Sequence, residues 1–326
     1  MNTKPRTFTL LLLALVATLT LVAAGCGRDD DGEEAGGAAT TAETSDLSGR
    51  IQADGSSTVG PLTTAAAEGF QRDNSDVQVT VGVSGTGGGF ERFCRGETDL
   101  SNASRPIDEE EVALCEKNGV DHVEFQVAND ALTVVVNKGN DWADCLTVDQ
   151  LKTIWEPGSK VSNWNQVDSS FPDQRLRLFG AGTDSGTFDY FTDVIVGEEG
   201  ASRSDYSATE NDNVTVQGVS GDEGALGYFG FSYFEENQAT LKALEVDGGE
   251  GCVAPSVENA QNGSYAPLSR PLFIYAKTES LGRPEVEAFV QYILDNATEI
   301  AEASQFVPLT AEQVEQAKAD FEEAKA

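Results

Sequence analysis

Three stretches of this chain set glycine beside hydroxyl side chains where a short strand should turn into a helix. The first is Gly55-Ser56-Ser57-Thr58, after the strand-like Ile51-Gln52-Ala53-Asp54 and before a helix with Pro61 in its first turn. The second is Ser84-Gly85-Thr86-Gly87-Gly88-Gly89, running into Phe90-Glu91-Arg92-Phe93. The third is Gly182-Thr183-Asp184-Ser185-Gly186-Thr187, running into Phe188-Asp189-Tyr190-Phe191. Helix starts carry unpaired backbone N–H groups and a partial positive charge. Glycine lets the backbone approach a ligand closely, and serine and threonine add donors. Several such ends converging would cage a tetrahedral oxyanion with little formal charge. A fourth segment, Ser101-Asn102-Ala103-Ser104-Arg105-Pro106, adds a guanidinium that could grip an oxyanion with two parallel bonds. One Gly/Ser turn is ordinary in an α/β protein. Three of them with an arginine point to anion binding.

Other chemistries find less support. Asp184-Ser185-Gly186 is not a G-x-S-x-G elbow, and His122, the only histidine, sits between a turn-like Asn118-Gly119 and a strand, where a structural role is expected. Gly85–Gly89 is not followed by the Gly-Lys-Ser/Thr of a nucleotide-binding loop. No C-x-x-C pair exists and His122 is the single histidine, so no zinc site is expected; no cofactor is expected either. Lys+Arg total 21 against 55 for Asp+Glu, a net charge of −34, which argues against nucleic acid as a partner. That charge does not forbid a bound anion. Distant charges are screened over roughly 8 Å at physiological salt, and each hydrogen bond to an ionised group contributes about 1.5–3 kcal/mol.

The elements that must position these loops alternate along the chain. Val77, Val79, Val81 and Val83 have strand periodicity, as do Arg175–Phe179, and Phe125–Asn137 is a β-rich run. Phe188, Phe191 and Ile195 are spaced for one helix face, as are Val286, Phe289, Tyr292 and Ile293. Asp108 and Glu111 form a capping box opening a helix through Leu114. The expectation is an α/β fold with mostly parallel sheets. Ahead of this body, Lys4 and Arg6 precede an apolar run from Phe8 to Ala24, and Ala23-Ala24-Gly25-Cys26 follows as a lipobox-like site. Residues 1–26 are expected to be a lipoprotein signal peptide with Cys26 lipidated, and residues 27–48 a disordered tether.

Taken together, Gly55-Ser-Ser-Thr58, Ser84-Gly-Thr-Gly-Gly88, Ser101-Asn-Ala-Ser-Arg-Pro106, Thr183-Asp-Ser-Gly-Thr187 and Ala225-Leu-Gly-Tyr228 resemble, in order, the phosphate-binding component of phosphate ABC importers. This is the PstS family, with the SphX-like branch as the nearer likeness, over roughly Arg50 to Thr310. The resemblance implies a type II periplasmic-binding fold: two α/β lobes joined by two crossing strands, with the ligand cleft between them. It implies lobe I from residues 49–129 and 267–326 and lobe II from 130–266, with crossings near Asn129–Asp130 and Pro267–Pro271. Four cysteines of the exported body allow three pairings; Cys94–Cys115 and Cys145–Cys252 close one bridge within each lobe.

By position, the resemblance implies phosphate contacts from Ser57, Thr58, Thr86, Ser104, Ser185, Gly186 and Thr187. Two departures stand out. Many family members place an arginine where this chain has Ala181, and a proton-accepting aspartate where it has Ser104. Arg105 is then expected to supply the positive charge, and Asp54 or Asp184 to accept the ligand's proton. The implied protein is no enzyme. It is a monomeric, lipid-anchored, extracytoplasmic receptor that captures inorganic phosphate and delivers it to ABC permease subunits. Competing readings are another tetrahedral oxyanion (sulfate, molybdate or arsenate), a phosphoester hydrolase, or a phosphate sensor.

Overall fold

A computed structural model describes residues 47–325. The signal peptide, Cys26 and tether residues 27–46 lie outside the described residues. Leu47 already packs against the body's core.

Chain order in the first half is β1 (Gly49–Gly55), α1 (Gly60–Asp73), β2 (Val77–Val81), α2 (Thr86–Cys94), β3 (Leu100–Ala103), α3 (Glu109–Asn118) and β4 (His122–Asn137). The second half holds β5 (Cys145–Thr147), α4 (Val148–Trp155), β6 (Arg177–Ala181), α5 (Gly186–Phe191), β7 (Ser207–Thr209), α6 (Asp212–Ser220) and β8 (Ala225–Gly230). It continues through α7 (Phe231–Asn237), β9 (Leu241–Ala243), β10 (Glu245–Asp247), β11 (Cys252–Val253) and α8 (Val257–Gln261). The chain then returns through β12 (Ser269–Lys277), α9 (Thr278–Leu281), α10 (Pro284–Asp295), α11 (Ala297–Ala303) and α12 (Ala311–Ala324).

The main sheet runs β2-β1-β3-β12-β4-β8-β6-β7, with β9 pairing on β4. Pairs on either flank are parallel: β1 with β2 and β3, and β6 with β7 and β8. Its centre is antiparallel, and β4 belongs to both halves. Residues 122–131 of β4 pair with β12, while Leu132–Val136 pair with β8. Such a central strand is covered on both faces, which explains the buried run Val127–Val136, with Asn129, Asp130 and Thr133 buried inside it. Each half has its own core. In the first, α1, α10 and α12 cover the sheet with Phe70, Phe289 and Phe321. In the second, Trp155, Phe191 and Tyr228 pack as an aromatic cluster.

Most expected elements form where their periodicity places them. The Asp108–Glu111 capping box is complete, and α3 continues past Leu114 to a left-handed Gly119. Both expected disulfides, Cys94–Cys115 and Cys145–Cys252, are present. Two boundaries differ. The strand expected to include Val83 ends at Val81, because the ladder breaks after Gly82, where the Ser84 and Gly85 amides both bond the Gly55 carbonyl, and Val83 is 61% exposed. The strand expected from Arg175 starts at Arg177, because Arg175 and Leu176 pair instead with the Ser162–Asn163 segment.

Candidate functional site

The loops gather because β1 and β3 are parallel neighbours, so both deliver the chain at the same sheet edge. Loop one leaves β1 through Gly55, whose φ is +138° and whose added Cβ would stand 2.1 Å from the Asn102 carbonyl oxygen. Only glycine fits there. Buried Ser56 then accepts from the amides of Thr58 at 3.2 Å and Val59 at 3.4 Å, leaving the Ser57 and Thr58 side chains toward the cleft. Loop two enters α2 at Gly85 (φ +78°), and this helix start has no side-chain cap. Its first amides are therefore available to a ligand. Loops two and four are joined: Thr86 Oγ1 lies 3.1 Å from Ser104 Oγ and accepts from the Ser104 amide at 3.2 Å.

Loop three reaches the same place from the other half. A Cβ on Gly186 would stand 3.0 Å from Thr58 Oγ1 and 3.4 Å from Ser57 Oγ, so the two loops meet backbone to hydroxyl. Together they line a cleft of about 590 Å³ with Ser56, Ser84, Arg105, Tyr190 and Arg270. An oxyanion of five heavy atoms displaces only a few waters of ~30 Å³ each, so the cleft holds the ion and solvent together.

Two guanidiniums differ in what they already hold. Arg105 is spent on Glu111, with Nη1 and Nη2 each donating to a carboxylate oxygen at 2.8 Å, and its side chain is 43% exposed. That pairing raises its pKa above the ordinary value. Arg270 is 18% exposed and sits opposite Asp130 in the β12–β4 register. Its Nε and Nη2 donate to Asp130 at 3.3 and 3.2 Å, and Nη2 also donates to Thr58 Oγ1 at 3.0 Å. The guanidinium lies 3.6 Å over the Tyr190 ring. Burial pushes the Asp130 carboxyl up while Arg270 pulls it back.

Of the residues named from sequence, Ser57, Thr58, Thr86, Ser104, Arg105 and Gly186 line the cleft. Ser185 and Thr187 are not part of the lining, and the Ser185 hydroxyl caps α5 by accepting from the Thr187 amide at 3.2 Å. Asp54 lies buried beneath the loops, where it accepts from the Gly55 amide at 2.7 Å, Ser84 Oγ at 2.8 Å and the Arg92 guanidinium. Asp184 is exposed, and neither aspartate is part of the cleft lining. The carboxylates that do line it are Asp189, Asp193 and Glu199. Burial and the neighbouring Glu199 push Asp189 above the usual range. His122 packs instead against the rings of Phe93 and Tyr275. Among the described residues, the group that could hold a metal ion, Cys145, Glu245 and Cys252, has both thiols consumed in a disulfide.

Sequence reasoning missed Arg270, Asp130 and Tyr190. Two signals could have found them. Ser269-Arg270-Pro271 repeats the tripeptide Ser104-Arg105-Pro106, and Asp130 is a charge inside an apolar strand, where burial without a partner is costly.

Comparison with known proteins shows the family. A family described as a PBP superfamily domain matches residues 37–297. Protein SphX of Synechococcus elongatus is 52% identical over 264 residues, covering 80% of this chain and 78% of that protein. Phosphate-binding protein PstS of Staphylococcus saprophyticus is 40% identical over 265 residues, covering 80% and 81%. Among solved structures, a possible phosphate binding protein from Planctomyces limnophilus superposes with a TM-score of 0.83 at 46% identity, covering 86% of this chain and all of that one.

Proposed function

Since the chain belongs to the PBP superfamily, in the group of its SphX and PstS relatives, we propose that its cleft captures inorganic phosphate reversibly and hands it to an ABC importer. The observation that carries this is the meeting of the first and third loops, Gly186 against Ser57 and Thr58, beside two guanidiniums. No bond is made or broken. The ligand is held by hydroxyls of Ser57, Thr58, Thr86 and Ser104, by amides at the starts of α2 and α5, and by the guanidiniums. Ser185 and Thr187 shape the third loop. Lobe I comprises residues 49–129 and 267–326, and lobe II residues 130–266; the β4–β12 pair between them is the hinge. In the cell the protein acts outside the cytoplasm as a monomer, tethered through lipid on Cys26. No helix among the described residues is long and apolar enough to cross a membrane.

Parallel calorimetry of the purified protein with phosphate and sulfate is the deciding experiment. Saturable phosphate binding with sulfate far weaker is expected. A preference for sulfate would overturn the assignment, and phosphate release from a generic ester would place the protein among hydrolases.

A further inference from the structure

We propose that Arg270, held by Asp130 and by the ring of Tyr190, is the principal cationic contact of the bound oxyanion, ahead of Arg105. This rests on the cleft being an oxyanion site and specifies which side chain supplies its charge.

The first argument is donor accounting. Arg105 directs both terminal nitrogens into Glu111, and Nη1 also donates to the Pro106 carbonyl at 3.0 Å. A ligand recruiting Arg105 must break a two-fold charged pair. Arg270 makes its bonds through Nε and Nη2, and its Nη1 donates to no group among the described residues. A free N–H pair is thus offered at a cleft-lining position with no competing bond to break.

The second is position. Arg270 is contacted from three directions: Thr58 of loop one, Asp130 of the neighbouring central strand, and Tyr190 on the helix that follows loop three. It therefore stands where both anion loops meet. The third loop, Gly182–Thr187, carries no cation of its own, and Ala181 before it is buried and apolar. The cation facing that loop must come from elsewhere in the fold, and β12 provides it.

The third is balance. Asp189, Asp193 and Glu199 line the same cleft. An anion entering beside them needs a cation that is not already neutralised in the open. Asp130 does pair with Arg270, but it is buried and absent from the lining, and it engages Nε and Nη2, so it holds the fork while Nη1 is left for the ligand. The Tyr190 face fixes the guanidinium plane from one side. Lysine could imitate neither the fork nor the stack.

Calorimetry with phosphate and with sulfate on the full chain and four variants tests this, with melting curves alongside. Arg270→Gln should weaken binding about 100-fold or more, the scale expected for losing a charge-assisted donor pair. Arg270→Lys should lose roughly 10-fold although the charge remains, and Arg105→Gln should stay within about 10-fold of the parent because its donors are engaged elsewhere. Arg270→Gln leaves Asp130 buried without its partner and can fail to fold, so the double variant Arg270→Gln/Asp130→Asn removes both charges. It should melt near the parent and still bind weakly. A folded double variant within threefold of the parent's affinity, or a larger loss from Arg105→Gln than from Arg270→Gln, overturns the inference. If the parent prefers sulfate, the phosphate assignment fails while the same ranking is scored with sulfate. If the parent binds neither anion, both fall.

Discussion

Gly186 is the residue on which the two halves of the site touch. A methyl group there would press on Thr58 Oγ1 at 3.0 Å and Ser57 Oγ at 3.4 Å. Those hydroxyls are proposed ligands, so the crowding falls on binding and leaves the core alone. Gly186→Ala should weaken phosphate binding by about 10-fold, since small overpacking costs on the order of 1–3 kcal/mol, while the melting temperature moves little. Calorimetry beside a melting curve separates the two effects, and unchanged affinity would place the ligand away from this contact. Gly186 was legible as a site residue from its Ser-Gly-Thr context. That it abuts loop one was not, because the two residues are distant in sequence and meet only across the halves.

At the scale of elements, α6 carries a group whose titration should be visible. Asp212, its first residue, is pushed up to about 6 by burial and by the charge of Glu210. The folded protein then holds this proton at pH values where the unfolded chain has released it. Stability should therefore fall as pH rises from about 4 to about 6 and level off above. Asp212→Asn removes that penalty, raising stability at pH 7.5 by roughly 1–3 kcal/mol and leaving it unchanged near pH 4. Denaturant unfolding at the two pH values measures this, and a gap that does not widen with pH contradicts it. The helices that carry loops two and four are fixed in a different way. Cys94 at the end of α2 is bridged to Cys115 on α3, so the two elements cannot drift apart.

For the molecule as a whole, the charge of −34 sets a repulsive field that an approaching anion must cross, whereas the grip itself acts over hydrogen-bond distances. Salt shortens the field and hardly touches the contacts. Raising ionic strength should therefore speed phosphate association several-fold and leave dissociation nearly constant, the reverse of an ordinary electrostatically steered encounter. Stopped-flow mixing across a salt series checks this. An association rate that falls with salt would mean the cleft's local potential outweighs the net charge.

The amino-acid sequence by itself determined the glycine–hydroxyl loops and the alternating α/β plan, while the cysteine pairs followed only once lobe boundaries were assumed. Glycine–hydroxyl turns at strand ends, capping boxes and apolar periodicity are local consequences of backbone sterics, which a short window contains in full. The tertiary structure alone brought together the groups proposed to carry the charge of the site. Arg270 and Asp130 face each other through the antiparallel register of β12 on β4, and Tyr190 arrives on a helix from the other half. Such registers arise from burial of the whole central strand pair, and no segment of the chain encodes them alone.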